Sequence, residues 1–170
     1  MKFIKHILMV TALSFMVSCG GGEEKKEDKK SVKIGTTTSK KKEDSNAVNI
    51  GLTGNDLMQF SKKEIRVKAG QEVTLTLRHV GTMELIVMGH NFVLLKPGVD
   101  RGVFANEATV AGKDADWIPN GGKDVIAHTK MIGGGQSTTV TFTAPEAGTY
   151  DFICSFSGHS GTMNGKFIVE

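Results

Sequence analysis

Four side chains in this sequence have the types and spacing to do chemistry together. Cys154, His159 and Met163 follow one another at Cys-x4-His-x3-Met spacing, and His90 lies upstream in the run Val87-Met88-Gly89-His90-Asn91. Each has an ordinary structural explanation on its own. A cysteine on a strand face is usually a small buried hydrophobe, and a methionine near a chain end is usually core. In combination they offer one thiolate, two imidazoles and one thioether, a ligand set for a single soft, redox-active metal. A strand–loop–strand hairpin puts Cys154 at a strand end and turns His159 and Met163 back over it. His90, at the end of another apolar strand, completes a trigonal His2Cys set with Met163 as a weak axial ligand. That is the donor set of blue-copper electron-transfer sites. Zinc fits less well, because a structural zinc takes four good ligands and a thioether is a poor one. Calcium and magnesium require oxygen ligands, and no cluster of carboxylates accompanies these residues.

The elements that would position these residues are short and alternating. Val48, Ile50 and Leu52 alternate with small or polar residues, as do Ile65 and Val67, then Val73, Leu75 and Leu77. Apolar runs follow over Ile86 to Leu95 and Val125 to Ile132. Val140 and Phe142 alternate with threonines, Tyr150, Phe152, Cys154 and Phe156 share one face, and Lys166 to Glu170 closes the chain. Period-two alternation with turn residues at short intervals predicts an all-β, Greek-key antiparallel β-sandwich. Pro97 to Gly122 breaks the alternation and predicts a short helical insertion capped by Asp100, with Trp117 as a packing anchor.

Residues 1–18 read as an export signal: Lys2 and Lys5 precede an apolar run from Ile7 to Val17 that is short for a bilayer span. The junction Met16-Val17-Ser18-Cys19-Gly20 resembles a bacterial lipoprotein cleavage site, which would make Cys19 the lipid-modified first residue of the mature chain; an ordinary secretory signal would leave Cys19 a free thiol. Residues 19–46 hold eight lysines and six acidic residues and almost no apolar side chains, the composition of a disordered tether. Such a coil reaches roughly 30 Å on average. Residues 47–170 form the folded domain. Of the 170 residues, the signal and tether account for the net charge of +3, and the domain is left with eleven basic and twelve acidic side chains. No basic patch with interleaved aromatics appears, which argues against nucleic-acid binding. With Cys19 lipidated, Cys154 has no disulfide partner, so an exported protein must bury it or bind it to a metal.

The domain resembles the azurins, bacterial members of the cupredoxins. The resemblance rests on Gly54-Asn55-Asp56-Leu57-Met58-Gln59-Phe60, Val87 to Leu94, Val125-Ile126-Ala127-His128-Thr129-Lys130 and Cys154 to Met163, in family order. It implies His90, Cys154 and His159 as equatorial ligands of one type 1 copper ion, Met163 as the long axial ligand and the Gly89 carbonyl opposite. It implies that Asn91 and the Phe156 amide donate to the Cys154 sulfur. It makes His159 the electron exit, surrounded by Met58, Met88 and Phe156 as an apolar docking patch. His79 and His128 align with family histidines that are not ligands. Three departures stand out: no cysteine occupies the family's disulfide positions near Val48 and Gln71, Phe92 replaces a tryptophan, and Ser157 replaces a proline of the ligand loop.

The expected function is single-electron transfer through Cu(I)/Cu(II) on a membrane-tethered monomer, not an enzyme. Its partners would be redox proteins, a cytochrome or a copper enzyme. The chain would be an exported bacterial lipoprotein anchored through Cys19 and facing the periplasm or the cell exterior. A copper carrier or buffer is the alternative. A copper oxidase or nitrite reductase would need a second copper and further histidines, and beyond the signal the chain has only His79, His90, His128 and His159.

Overall fold

Alternation along Glu72–His79 puts Val73, Leu75 and Leu77 on one face, and all three are fully buried. That strand is the spine of the domain described by the computed structural model, which covers residues 46–170; the signal, Cys19 and the tether up to residue 45 lie outside the described residues. Nine strands and two helices follow in order: β1 (Ala47–Asn55), β2 (Gln59–Phe60), β3 (Glu64–Val67), β4 (Glu72–His79), α1 (Leu85–Met88), β5 (Val93–Leu95), α2 (Arg101–Ala111), β6 (Val125–His128), β7 (Ser137–Thr143), β8 (Gly148–Ile153) and β9 (Asn164–Val169). They form two sheets, ordered β2-β1-β4-β7 and β3-β9-β8-β5-β6. The fold is the expected Greek-key β-sandwich with a helical insertion. Each sheet also contains one parallel pair, β1 with β4 and β3 with β9, because the first and third strands join their sheets beside strands that are not their chain neighbours.

The main core lies between the sheets and is built from Leu52, Leu75, Leu77, Phe92, Leu94, Phe152 and Phe167, among others. Phe152 is its centre: its ring lies 5.6 Å from Phe60 and 5.4 Å from Phe92. A second core lies between the β5-containing sheet and the insertion, where Val93, Leu95 and Ile153 meet Phe104, Ala108 and Trp117. β5 is therefore buried on both faces, which explains why its apolar residues run on without alternating. The Asp100 carboxylate caps α2 by accepting from the Val103 N–H at 2.8 Å, as the sequence predicts. Trp117 is buried and packs 5.2 Å from Phe156, the anchoring role expected of it.

The run Ile86 to Leu95 is where the structure departs from the sequence reading. It is not one strand. Residues Leu85–Met88 make a single helical turn, and only Val93–Leu95 enters the sheet. Periodicity cannot separate a short apolar strand from a helical turn, and no strand lies alongside Ile86 and Val87, which are 66% and 58% exposed. His90 is thus not at a strand end but between α1 and β5, where it exchanges two backbone hydrogen bonds of 2.9 Å with Ile132.

Removing the aromatic centre should be costly. Phe152→Ala is expected to lower the unfolding free energy of the copper-free protein by about 3–5 kcal/mol, read from denaturant midpoints at unchanged slope.

Candidate metal centre

The three best donors converge although they come from two distant parts of the chain. Cys154 follows the end of β8, His159 starts a short 3-10 turn at His159–Gly161, and His90 is fixed by its bridge to Ile132. The Cys154 sulfur and one ring nitrogen each of His90 and His159 all lie within 4.8 Å of one another, and all three residues are buried. The Cys154 Sγ is 3.6 Å from His159 Nδ1 and 3.6 Å from the Gly89 carbonyl oxygen. Met163 is fully buried at the base of the same loop, its N–H donating to His159 O at 2.7 Å and its carbonyl accepting from the Cys154 N–H at 2.9 Å.

Two features of the site point to a cation. The first is the imidazole of His90. Its Nε2 lies 2.9 Å from the Asn55 carbonyl oxygen and its Nδ1 lies 2.8 Å from the Gly89 carbonyl oxygen. A neutral imidazole has one N–H, so it serves one of these acceptors and leaves a lone pair facing the other. Burial, then the neighbouring His79, holds its pKa below the ordinary imidazole range, so a second proton is disfavoured. A metal ion held by Nδ1 would take up that lone pair. The second feature is the Cys154 thiol. Burial pushes it up to about 12, although the backbone N–H groups of Asn91 and Phe156 point at the sulfur and favour its ionised form. No protein cation neighbours it, so a thiolate there needs a bound metal ion. His159 is pushed down to about 4 by burial and by the charges of His90 and His79, which keeps its lone pair free at neutral pH. Two neutral imidazoles, a soft sulfur that ionises only against a cation, and a neighbouring thioether suit copper better than a hard ion.

The supporting shell joins backbone and side-chain contacts. Asn91 directs its backbone N–H to the sulfur, as does Phe156. The Asn91 carboxamide is used elsewhere: Oδ1 accepts from the Ser155 N–H at 2.9 Å and Nδ2 donates to Ser155 Oγ at 2.8 Å. This buried, reciprocal pair ties the segment after Cys154 to the segment after His90. His79 is stacked on His90 with ring centroids 4.1 Å apart, accepts from the Gly81 N–H at Nδ1 and donates from Nε2 to the Met88 carbonyl at 2.8 Å. It is a packed brace outside the donor cluster, and His128 is at the surface, so neither joins the site.

Some contributors were not visible in the sequence. A Cβ on Gly54 would come within 2.6 Å of the Met163 methyl and 2.7 Å of His90 Cδ2, so only glycine lets β1 close over both. Gly89 is equally confined: a Cβ there would lie 2.7 Å from the Leu85 carbonyl oxygen and 2.8 Å from the Phe156 ring. Met58, Met88 and Phe156, expected as a docking patch, are each half-buried. The freely exposed apolar side chains beside them in sequence are Leu57, Ile86 and Val87. Alternation assigned Ile86 and Val87 to a strand, which hid their exposure.

The chain matches the model for copper binding proteins of the plastocyanin/azurin family over residues 46–170. It belongs to this family. Azurin-1 of Alcaligenes xylosoxydans xylosoxydans is 41% identical over 121 residues, which cover 69% of this chain and 93% of that protein. Outer membrane protein H.8 of Neisseria gonorrhoeae is 44% identical over 115 residues, or 66% of this chain; the match spans 62% of that relative's length. Among solved structures, auracyanin A, a blue copper protein of Chloroflexus aurantiacus, superposes with a TM-score of 0.67 at 34% identity, covering 73% of this chain and 99% of that one. The cofactor of this cupredoxin is a type 1 copper ion.

The depressed imidazoles make the copper-free protein acid-sensitive. The folded-state pKa of His159 lies below its unfolded value, so the unfolded chain binds the proton first as pH falls. Stability is complete above about pH 6.5 and drains away toward pH 4, with His90 acting in the same direction. Urea midpoints of the copper-free protein should therefore fall across that window; a midpoint unchanged through it would contradict the assignment.

Proposed function

We propose that this cupredoxin is a one-electron carrier in which His90, Cys154 and His159 hold copper, Met163 lies along the axis on one side and the Gly89 carbonyl on the other. The observation that carries the reading is the convergence of three buried donors within 4.8 Å, held by backbone and buried side-chain contacts. Copper held by these residues would supply one-electron Cu(II)/Cu(I) chemistry between a donor and an acceptor protein. What the chain supplies is a site that moves little. The reciprocal Asn91–Ser155 pair, the His90–Ile132 bridge and the His79 stack fix the donors from three directions, and the two N–H groups aimed at the sulfur steady its charge.

Deep burial favours a carrier of electrons over a carrier of copper. Cys154 and His90 are fully buried, and releasing an ion to an acceptor would require the loop to open. An enzyme would need a second metal site, and the remaining described histidines are committed elsewhere, His79 to its two backbone partners and His128 to the surface. His159, 3% exposed beside the half-buried Phe156 ring at 4.7 Å, is the ligand closest to solvent and the point of electron exit. Met58, Met88 and Phe156, with the exposed Leu57, Ile86 and Val87, form the apolar surface on which a cytochrome or copper enzyme docks briefly. Lipid on Cys19 and the charged tether would anchor the monomeric domain to a membrane, on the periplasmic face or outside the cell, and raise the effective concentration of such partners. The similarity to outer membrane protein H.8 supports that location.

Copper-loaded protein should show an intense blue thiolate-to-copper absorption band that bleaches and returns reversibly in a redox titration. Cys154→Ser should abolish the band while leaving the sandwich folded. Copper binding without the band would overturn the ligand assignment, and a band that cannot be cycled would overturn the electron-carrier reading.

A further inference from the structure

We propose that Asn164 is the positioning residue that closes the ligand loop, holding through its side-chain amide a segment whose turn carries serine rather than proline at position 157. The inference rests on the reading that His159 and Met163 hold the metal. Its starting point is the turn Phe156–His159. The His159 N–H donates to the Phe156 carbonyl at 3.0 Å, and Gly158 sits at φ 81°, ψ −10°. These are the marks of a type II turn, in which Gly158 takes the third position and Ser157 the second. The second position is where proline presets φ, so serine leaves this turn freer in the unfolded chain and looser at its exposed corner.

The rest of the loop is closed from outside. The first half is held at Ser155 by Asn91. In the second half, every carbonyl from His159 to Thr162 has a donor. The His159 carbonyl accepts from Thr162 N–H at 3.1 Å and Met163 N–H at 2.7 Å. The Ser160 and Gly161 carbonyls are both taken by Asn164 Nδ2, at 2.8 Å and 3.0 Å. Thr162 O accepts from Lys63 Nζ at 2.6 Å. A carboxamide has two N–H donors, and Asn164 directs both to the loop.

The clamp matters because of where Asn164 itself stands. It is the first residue of β9 and pairs with Ile153 at the end of β8. The adjacent residues are Met163 and Cys154, joined by the hydrogen bond from Cys154 N–H to Met163 O. The amide thus ties the turn carrying His159 to the strand pair carrying the other two loop donors. Lys63 is an exposed ammonium whose hold is weakened by solvent, so Asn164 is the stronger fastening.

The test uses the full chain, copper-free and copper-loaded, with Asn164→Asp, Asn164→Ala and the double variant Asn164→Ala, Ser157→Pro. Aspartate keeps the shape and removes both donors, placing oxygen against two carbonyls. The readouts are hydrogen exchange of the Gly161–Met163 amides in the copper-free protein, copper release to a chelator, and the reduction potential. Asn164→Asp should speed loop exchange and copper release by about tenfold, as the loss of one to two hydrogen bonds implies, with alanine intermediate. It should shift the potential, and exchange in β4 should stay at the parent rate. Ser157→Pro should restore most of the loss in the alanine background. Parent-like loop exchange in Asn164→Asp overturns the proposal, as does acceleration spread equally over β4 and not rescued by proline. Faster loop exchange in a protein that binds no copper would leave the clamp standing and overturn the metal reading instead.

Discussion

The structure depends on keeping one sulfur dry. Burial raises the Cys154 thiol to about 12, so the ionised form exists there only against a bound cation. Dryness requires both sheets: Phe152 and Leu94 line the core below, and Phe156 and Trp117 cover the side toward α2. Inside that shell the polar groups around the donors are paired. The two N–H groups point at the sulfur, the Asn55 carbonyl lies 2.9 Å from His90 Nε2, and Asn91 and Ser155 bond each other reciprocally. A buried polar network of this kind is rigid, and its members lose much if one partner is removed.

The same constraint explains why the site is assembled from distant segments. A single hairpin brings Cys154, His159 and Met163 together, but it cannot enclose them. His90 arrives on the segment between α1 and β5, and β1 closes over the far side because Gly54 has no side chain. The helical insertion completes the cover: α2 and Trp117 press on Phe156, whose ring lies 4.7 Å from His159. The insertion thus belongs to the metal site as packing, although none of its residues is a donor.

Much of this was legible in the sequence because it is local. The Cys-x4-His-x3-Met spacing is a property of one loop, the alternation of β4 and β7 reports one buried face each, and Asp100 stands where an N-cap is needed. What was not legible depends on tertiary partners. The run through Ile86 reads as strand because apolar side chains look alike in a sequence whether they face a core or solvent. The Asn91 carboxamide is spent on Ser155, and a serine after a cysteine has no periodic signature to announce that pairing. Neither Gly54 nor Asn164 carries a periodic or spacing signal of its own. Their roles follow from which side chains approach them, and a linear pattern does not carry that.

The central claim is that the fold, not the metal, sets the geometry of the donors, so that oxidation and reduction leave it nearly unchanged. X-ray absorption at the copper edge tests this directly on the same sample in both oxidation states. The account predicts two nitrogens and one short sulfur around the copper in each state, with nearly the same distances. A change in the number of ligands on reduction, such as loss of an imidazole, would contradict it.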